Sequence, residues 1–593
     1  MTATAASPIA KPATKPSSRP KVARAKPKLG LRVWMERVLV ECDRAAAGFE
    51  ADPVHDLRVA LRRCRSLADG LIALDPDSSW KDMKKTGRKL FQGLGELRDM
   101  QVMEEWIEKL GDVSGRVVRD SVADDPASGN RSSADHSSGD HSSGDHLSGD
   151  HLSGDPVAVK LLTHIHAHEA ECKQRAFKDL NQFDRKQWRQ WARSLPQRAS
   201  RVRPGSVVYL HLALEKWTAA YELHKHALRT RSQVSLHELR IGIKRFRYTV
   251  ENFLPRQHES WGSDLKELQD LLGDVHDLDV LWATAVEITA FPDAESQRRW
   301  RERLNLERGK RIERYRAKMV GKESLWRVWR AELPSGPSLR AAAMSRLRTW
   351  AGYLDPDFSH SQRVAQLTLL LYDGLKSASL LTAVAAASGP AEADRGAISR
   401  ARTNHARLNH ARSNRALSNP EDDRRAVLQA AALLHDVGKA HGAENHQKSS
   451  YRMIRGLARP LGWSARELEL VAVVARYHRG ALPRPRAKTL QMLELPDRPI
   501  AMELAGVLRL ANALDFRHAR DGHEEGDSPR LEVSLQETAV VVRTVGYSAL
   551  DRSAEAVAAA RHLLETVLRR PVLVHGLRAA AGDSRPAAPV ANH

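Results

Sequence analysis

Two short segments of the sequence carry basic side chains at a spacing that could bind a phosphate-rich anion. The first, VHDLRVALRRCR, begins at Val54, and the second, LHELRIGIKRFR, begins at Leu236. At about 100° per residue, a helix places the cations of each segment on one stripe, beside a separate apolar face. Arg binds phosphate oxygens through a planar fork, Lys acts as a point charge, and His adds a pH-sensitive donor. The stripes consist of His55, Arg58, Arg62 and Arg65, and of His237, Arg240, Lys244 and Arg247.

A second set of residues has the composition of a divalent-metal site. His435 and Asp436 end an apolar helical segment in LLHDVGKAHG, and Lys439 follows one turn later. Imidazoles and carboxylates together suit Mn²⁺, Fe²⁺ or Mg²⁺, and such an ion could activate water and polarise a phosphoryl oxygen. Asp436 and Lys439 are therefore predicted to be catalytic, with Lys439 neutralising charge that develops on phosphate. The predicted ligands are His360, His435, Asp436, His446, His478 and Asp515.

The first half of the chain is an internal duplication. Each cationic stripe is followed by a second shared motif, LGELRDMQVM from Leu94 and LGDVHDLDVL from Leu272. The copies are separated by 182 residues at the stripes and 178 residues at the second motif. Duplication alone accounts for shared apolar positions. Because a solvated face tolerates change, basic positions kept in both copies favour a shared ligand.

The composition points to an anionic partner inside the cell. Lys and Arg total 94 against 73 Asp and Glu, which gives a formal charge of +21. This balance favours nucleic acid, an acidic lipid surface or an inorganic polyanion. The three cysteines lack a C-x-x-C spacing, which is typical of a reducing compartment, so the sequence predicts a cytoplasmic protein. We expect no signal peptide and no membrane span.

Periodicity divides the chain into two structured regions. A helical region is predicted at 31–333, interrupted by a low-complexity Ser-Gly-Asp-His insertion at 128–156, and a linker follows around Pro334–Pro337. A second helical region at 338–578 contains a flexible insertion at about 385–421. It closes with a hairpin in RLEVSLQETAVVVRTV and a short strand in PVLVHG. Residues 1–30, which are basic, and 579–593 are predicted to be disordered tails.

The duplicated stripes resemble the two signature helices of the CHAD family, the conserved histidine α-helical domain. The quoted VHDLRVALRRCR and LHELRIGIKRFRYTVE match closely, and the resemblance covers roughly Arg32 to Glu332. It implies an all-α domain of two pseudo-symmetric four-helix bundles around a basic cleft that binds inorganic polyphosphate. The eight stripe residues would be the ligands. The resemblance also raises the prospect that the chain associates with polyphosphate granules.

The second region resembles the HD superfamily. The order His360, His435–Asp436, Asp515 is similar to its H…HD…D pattern, and His446 and His478 correspond to extra histidines of two-metal members. AAALLHDVGKAHG, HQKSSY and the closing β element look most like the helical C-terminal region of the exopolyphosphatase and guanosine pentaphosphate phosphohydrolase family. Those phosphatases work in an N-terminal actin-like domain, which this sequence lacks. Catalysis would therefore come from the HD metal site.

Three functions remain open from the sequence. The first is a polyphosphate-binding protein whose HD domain hydrolyses a phosphorylated small molecule or nucleotide. The second is a non-enzymatic polyphosphate binder or granule scaffold with a regulatory HD module. Nucleic-acid binding is the least favoured, because aromatic residues make up only 5% of the chain and no stacking platform or helix-turn-helix is evident.

Overall fold

The computed structural model describes residues 30–111, 155–381, 420–515, 529–551 and 553–577. Apart from their boundary residues, the two predicted tails and the two predicted insertions lie outside the described residues. Within these ranges the protein is helical except for three short strands near its C-terminus. The predicted all-α class with a small C-terminal β element is confirmed.

The described residues between 30 and 331, which leave out 112–154, consist of helices and short connections. Those of the first repeat are α1 (Leu31–Ala46), α2 (Ala51–Leu71), α3 (Ser78–Gly93), α4 (Gly95–Gly111), α5 (Pro156–Asn181) and α6 (Arg185–Ala199). Those of the second are α7 (Val207–Thr230), α8 (Gln233–Phe253), α9 (Pro255–Glu287), α10 (Ala294–Met319) and α11 (Leu325–Ala331). The two cationic stripes lie on α2 and α8, which occupy equivalent places in the two repeats.

The repeats differ from two separate four-helix bundles in the helices they contain and in how they pack. The single helix α9 takes the place that α3 and α4 share in the first repeat, and the short helices α6 and α11 are added. The repeats also share their cores. Met103 and Trp106 of the first repeat pack in one apolar cluster with Leu278 and Trp300 of the second. Burial of apolar surface therefore holds the two copies together as one domain.

The predicted apolar faces of α2 and α8 are buried. Leu57, Leu61 and Cys64 on α2, and Ile243 and Phe246 on α8, are inaccessible to solvent. The two helices pack against each other, and at Gly70 a Cβ would lie 2.3 Å from the Phe253 ring. Of the eight stripe residues, His55 is exposed and the other seven are half-buried.

A second helical region follows without a long linker. Ser335 and Ser338 form a capping box at the start of the next helix, so the predicted linker is reduced to a short turn. The helices are α12 (Gly336–Leu354), α13 (Phe358–Ser377), α14 (Pro420–Leu434), α15 (His446–Arg455), α16 (Ala465–Arg476), α17 (Lys488–Gln491), α18 (Asp497–Ala513) and α19 (Ser553–Leu568). A 3₁₀ turn at Val437–His441 joins α14 to α15.

The closing β element is a three-stranded sheet of order β1-β2-β3. The predicted hairpin is confirmed as β1 (Leu531–Gln536) antiparallel to β2 (Ala539–Val545), and β3 (Val572–Leu577) pairs parallel to β2 through the crossover helix α19. Gly374 on α13 approaches Val533 of β1 closely. The sheet therefore packs on α13, the helix that carries the predicted metal ligand His360.

The two regions pack directly on each other. Arg346 on α12 forms an ion pair with Glu215 on α7, and the Nε2 of His211 lies 2.9 Å from the carbonyl oxygen of Leu461. The Tyr353 hydroxyl donates to the carbonyl oxygen of Arg198 at 2.8 Å. Among the described helices, none combines the length and the apolar character that crossing a bilayer requires.

Candidate functional site

Some cations of the two stripes lie close enough for their charges to act on one another. Lys244 on α8 is half-buried among charges of its own stripe and of α2. Burial, followed by the charges of Arg240, Arg62, Arg58 and Arg65, lowers the pKa of Lys244 to about 8. Three of those four arginines belong to the other repeat. We call these five residues (Arg58, Arg62, Arg65, Arg240 and Lys244) the basic groove.

Aromatic rings and backbone hold the arginines of the groove in place. The guanidinium groups of Arg58 and Arg65 lie 4.4 and 4.8 Å from the centroid of the Phe91 ring. Arg58 also donates to the carbonyl oxygen of Phe91 at 3.3 Å, and burial lowers its pKa to about 10. The Nε of Arg65 is buried without a hydrogen-bond partner in the described structure. Fixed cations with unsatisfied donors are suited to an anionic ligand.

The remaining stripe residues are His55, His237 and Arg247. Burial, then the charges of Arg98 and Arg62, lowers the pKa of His55, and the Nδ1 of His237 lies 3.3 Å from the Nδ1 of His276. The charge of Arg247 favours ionisation of Glu251 and of Asp270. These three predicted ligands are outside the group of charges that acts on Lys244.

Sequence reasoning missed four residues that border the groove. They are Arg98 and Asp99 on α4 and their counterparts His276 and Asp277 on α9. Burial raises the pKa of Asp99, and the charges of Arg58 and Arg240 oppose that rise. Burial raises the pKa of Asp277 to about 6, against the opposing charge of Arg240. The signal that could have found them is the duplicated LGELRDMQVM and LGDVHDLDVL motif, which carries all four.

The predicted metal ligands of the second region converge around Asp436. Two groups of possible ligand atoms share this carboxylate: His360, His435 and Asp436 form one, and Asp436, His446 and His478 form the other. His446 Nε2 lies 3.0 Å from Asp436 Oδ1 and 3.2 Å from His478 Nε2. Atoms bound to one cation at about 2.1 Å are separated by roughly 3 Å when they are adjacent ligands. The spacing of the second group therefore fits a divalent ion.

The histidine tautomers also suit metal binding. The Nδ1 atoms of His435, His446 and His478 each lie 2.7–2.8 Å from the carbonyl oxygen three residues earlier, at Ala432, Ala443 and Ala475. Each Nδ1 therefore carries the proton, which leaves the Nε2 lone pair free to bind a metal ion at the centre. The Nε2 of His435 is buried and makes no hydrogen bond in the described structure. Burial, then the charge of His435, lowers the pKa of His478 well below its usual value.

Asp515 lies at the edge of this centre. Its carboxylate accepts hydrogen bonds from Arg363 and lies 2.7 Å from the Nδ1 of His360. The Nε2 of His360 lies 3.1 Å from the Oδ1 of Asn512. The structure thus joins Asp515 to the centre through His360, and Arg363 and Asn512 are neighbours that the sequence did not suggest.

Lys439 lies against the Asp436 carboxylate. Its Nζ lies 2.5 Å from the Oδ2 of Asp436, and its side chain is about a quarter exposed. Burial opposes ionisation of Asp436, but His435, His446 and His478 hold the pKa of Asp436 far below its usual range. The centre therefore combines an ionised carboxylate, three buried imidazole rings and one lysine side chain that solvent can reach.

A tight turn fixes His435 and Asp436. At Gly438, a Cβ would lie 2.2 Å from the carbonyl oxygen of His446. The backbone N–H of Gly438 donates to the hydroxyl of Ser450 at 2.9 Å, and that hydroxyl donates to the carbonyl oxygen of His435 at 2.7 Å. Ser450 is fully buried and so joins the turn to α15.

Ser450→Ala is expected to lower the free energy of unfolding by about 1–3 kcal/mol, because it leaves a buried N–H and a buried carbonyl oxygen without a partner. Chemical denaturation measures the change. Ser449→Ala, one residue away and half-exposed, is the matched control and should be nearly neutral. Equal stability of the two variants would contradict the role of the Ser450 hydroxyl.

Comparison with known proteins identifies two domains. Residues 35–286 match the family model of the CHAD domain, and residues 393–544 match that of the Ppx/GppA phosphatase, domain III. A bifunctional uridylyltransferase/uridylyl-removing enzyme of Nitrobacter winogradskyi is 31% identical over 150 residues, which cover 24% of this chain and 15% of that enzyme. The chain thus spans a small part of that relative's length.

A solved structure is also similar to part of this chain. The crystal structure of the CHAD domain from the plant Ricinus communis covers 51% of this chain and 90% of its own, with 18% sequence identity and a TM-score of 0.29. The two family matches, and not this structural similarity, define the two domains. The chain contains a CHAD domain at residues 35–286, followed by a Ppx/GppA phosphatase domain III at residues 393–544.

Proposed function

We propose that this chain binds inorganic polyphosphate in the basic groove and hydrolyses a phosphoester or phosphoanhydride at a divalent metal in the second domain. The observation that carries the proposal is the position of Lys244 among three arginines of the other repeat. Such like charges repel one another, so an anion that enters between them removes an electrostatic penalty. The two family matches support the same chemistry.

A phosphate chain fits the groove better than a compact anion. It carries about one charge per phosphate, so neighbouring cations on aligned helices can pair with successive phosphates. Arg58, Arg62 and Arg65 present such a row on α2, opposite Arg240 and Lys244 on α8. In a cell, this binding would bring the chain to polyphosphate granules.

Binding to polyphosphate and to duplex DNA tests this part of the proposal. At matched phosphate and salt concentrations, we expect polyphosphate to compete more strongly, because the groove offers no element for reading bases. The logarithm of the polyphosphate affinity should fall linearly with the logarithm of salt concentration, as bound counterions are released. Tighter binding of DNA would instead favour a nucleic-acid function.

The second domain fits a divalent ion of the HD-superfamily type. We assign His435, Asp436, His446 and His478 as residues that would hold it, with His360 and Asp515 at the side of a second position. A bound ion would activate water and polarise a phosphoryl oxygen. The carbonyl oxygens behind the histidines keep the ring nitrogens directed at the centre. Lys439 would bind the phosphoryl group of a phosphorylated small molecule or nucleotide and offset its charge.

Metal analysis combined with a phosphatase screen tests this assignment. Purified chain loaded with Mn²⁺, Fe²⁺ or Mg²⁺ should release phosphate from at least one phosphorylated substrate, and the metal-stripped chain should not. Equal activity of the stripped and loaded chains would overturn it. A chain that holds no metal at saturating concentration would favour the non-enzymatic scaffold.

Polyphosphate affinity is expected to depend on pH through Asp277 and Lys244. Asp277 is ionised above its pKa of about 6 and then opposes the anion, so affinity should rise as pH falls from 7.5 to 5.5. Lys244 loses its charge above its pKa of about 8, so affinity should fall between pH 7.5 and 9. Asp277→Asn should raise affinity at pH 7.5 and flatten the acidic limb of the profile.

Competition binding at constant ionic strength measures these profiles. Asp264→Asn makes the same charge change at a site that pairs with Lys318 on α10, and it should keep the wild-type profile. An unchanged acidic limb in Asp277→Asn would show that another group controls the response.

A further inference from the structure

We propose that α5 binds a divalent transition-metal ion through His164 and His168, at a site separate from the centre of the second domain. The two residues are one helical turn apart, so their side chains lie on the same face. Their ring centroids are 4.3 Å apart with an interplanar angle of 34°, and both rings are half-exposed. Two imidazoles so placed can offer one nitrogen each to a single ion.

The chemistry of the pair selects the class of metal. Imidazole nitrogen is a borderline ligand that suits Zn²⁺, Ni²⁺ and Cu²⁺ better than Mg²⁺ or Ca²⁺. Glu171 is exposed and lies three residues after His168, on the same face of α5. The Glu171 carboxylate does not join the two imidazoles at ligand spacing in the described structure, so water would complete the coordination.

The neighbouring His166 has a different contact and provides a matched control. Its Nε2 lies 3.1 Å from the Oε1 of Glu104 on α4. At two residues from both His164 and His168, it points to another side of the helix. His166→Ala therefore removes one imidazole from the same segment without removing either proposed ligand.

Zinc titration calorimetry of the full-length chain at pH 7.5 tests the site. We expect His164→Ala/His168→Ala to lose one class of zinc site, or to bind it about tenfold more weakly or worse, while His166→Ala keeps it. Cu²⁺ electron paramagnetic resonance should show the same loss of nitrogen coupling. Zinc binding by the double variant that equals the wild type would overturn the proposal, as would an equal loss in His166→Ala.

A variant of the second domain separates this site from the proposed catalytic centre. Asp436→Asn should retain the zinc class that depends on His164 and His168, because the two sites share no residue. If Asp436→Asn abolishes that class while the α5 double variant does not, the zinc belongs to the second domain and the α5 site is refuted. The proposed hydrolysis can fail without affecting this result.

Discussion

Reversal of charge at Arg58 and Arg240 is expected to weaken polyphosphate binding by roughly 10²–10⁴-fold. A hydrogen bond to a charged group contributes about 1.5–3 kcal/mol, so the loss of one arginine from each repeat removes about 3–6 kcal/mol. Each introduced carboxylate also repels phosphate. The salt dependence should become shallower, by roughly 0.7 in slope for each phosphate that the protein no longer neutralises. Fluorescence competition at several salt concentrations measures both quantities.

A second pair of arginines controls for net charge. Arg32 and Arg314 are exposed and pair with Glu36 and Glu267, outside the groove. Arg32→Glu/Arg314→Glu changes the net charge by the same amount, and we expect it to retain most of the affinity. Because Arg58 is packed on Phe91, thermal unfolding and the milder Arg58→Gln/Arg240→Gln pair establish that the fold persists. Equal affinities of the two charge-reversed proteins would contradict the groove.

The local fold could be predicted because the helical periodicity of apolar residues is visible within short segments of the sequence. Leu57 and Leu61 recur at the spacing of one helical face, and both are buried as that spacing requires. The pattern of RLEVSLQETAVVVRTV likewise predicts the hairpin of β1 and β2. The internal duplication also predicts that α2 and α8 occupy equivalent positions in the two repeats. These inferences need only local sequence and one internal repeat.

The shared core of the repeats could not be predicted in the same way. Trp106 and Trp300 are far apart in sequence and yet belong to one apolar cluster, and the apolar positions of α4 and α9 are equally compatible with separate bundles. The continuity of α9 also has no local signature, because Gly273 lies inside it while its counterpart Gly95 begins α4. Packing against the other repeat decides both features.

The candidate sites were partly accessible from residue type. His435, Asp436, His446 and His478 were selected by their chemistry, and the structure brings them together. Ser450 and Asn512 were not, because a serine and an asparagine in helices have many ordinary roles. Their contribution depends on contacts with His435 and His360 that only the folded chain creates. Sequence chemistry thus finds ligands more readily than the residues that orient them.

Asp436→Asn is expected to lower the proposed metal-dependent hydrolysis by about a thousandfold or more, since a metal contributes several kcal/mol to stabilising a phosphoryl transition state. Asp436 is the one residue common to both groups of ligand atoms. The amide keeps the shape of the carboxylate but removes the charge that offsets a divalent ion. Metal content by elemental analysis should fall in parallel with phosphate release.

The histidines of the same centre allow a matched comparison. His446→Ala removes a buried ring nitrogen 3.0 Å from Asp436, whereas His441→Ala removes an exposed ring five residues away. We expect only His446→Ala to lose metal and activity, and both variants to bind polyphosphate as the wild type does, because the basic groove lies in the other domain. Full metal content in Asp436→Asn would contradict the ligand assignment. Undiminished hydrolysis in Asp436→Asn would place the reaction elsewhere in the chain.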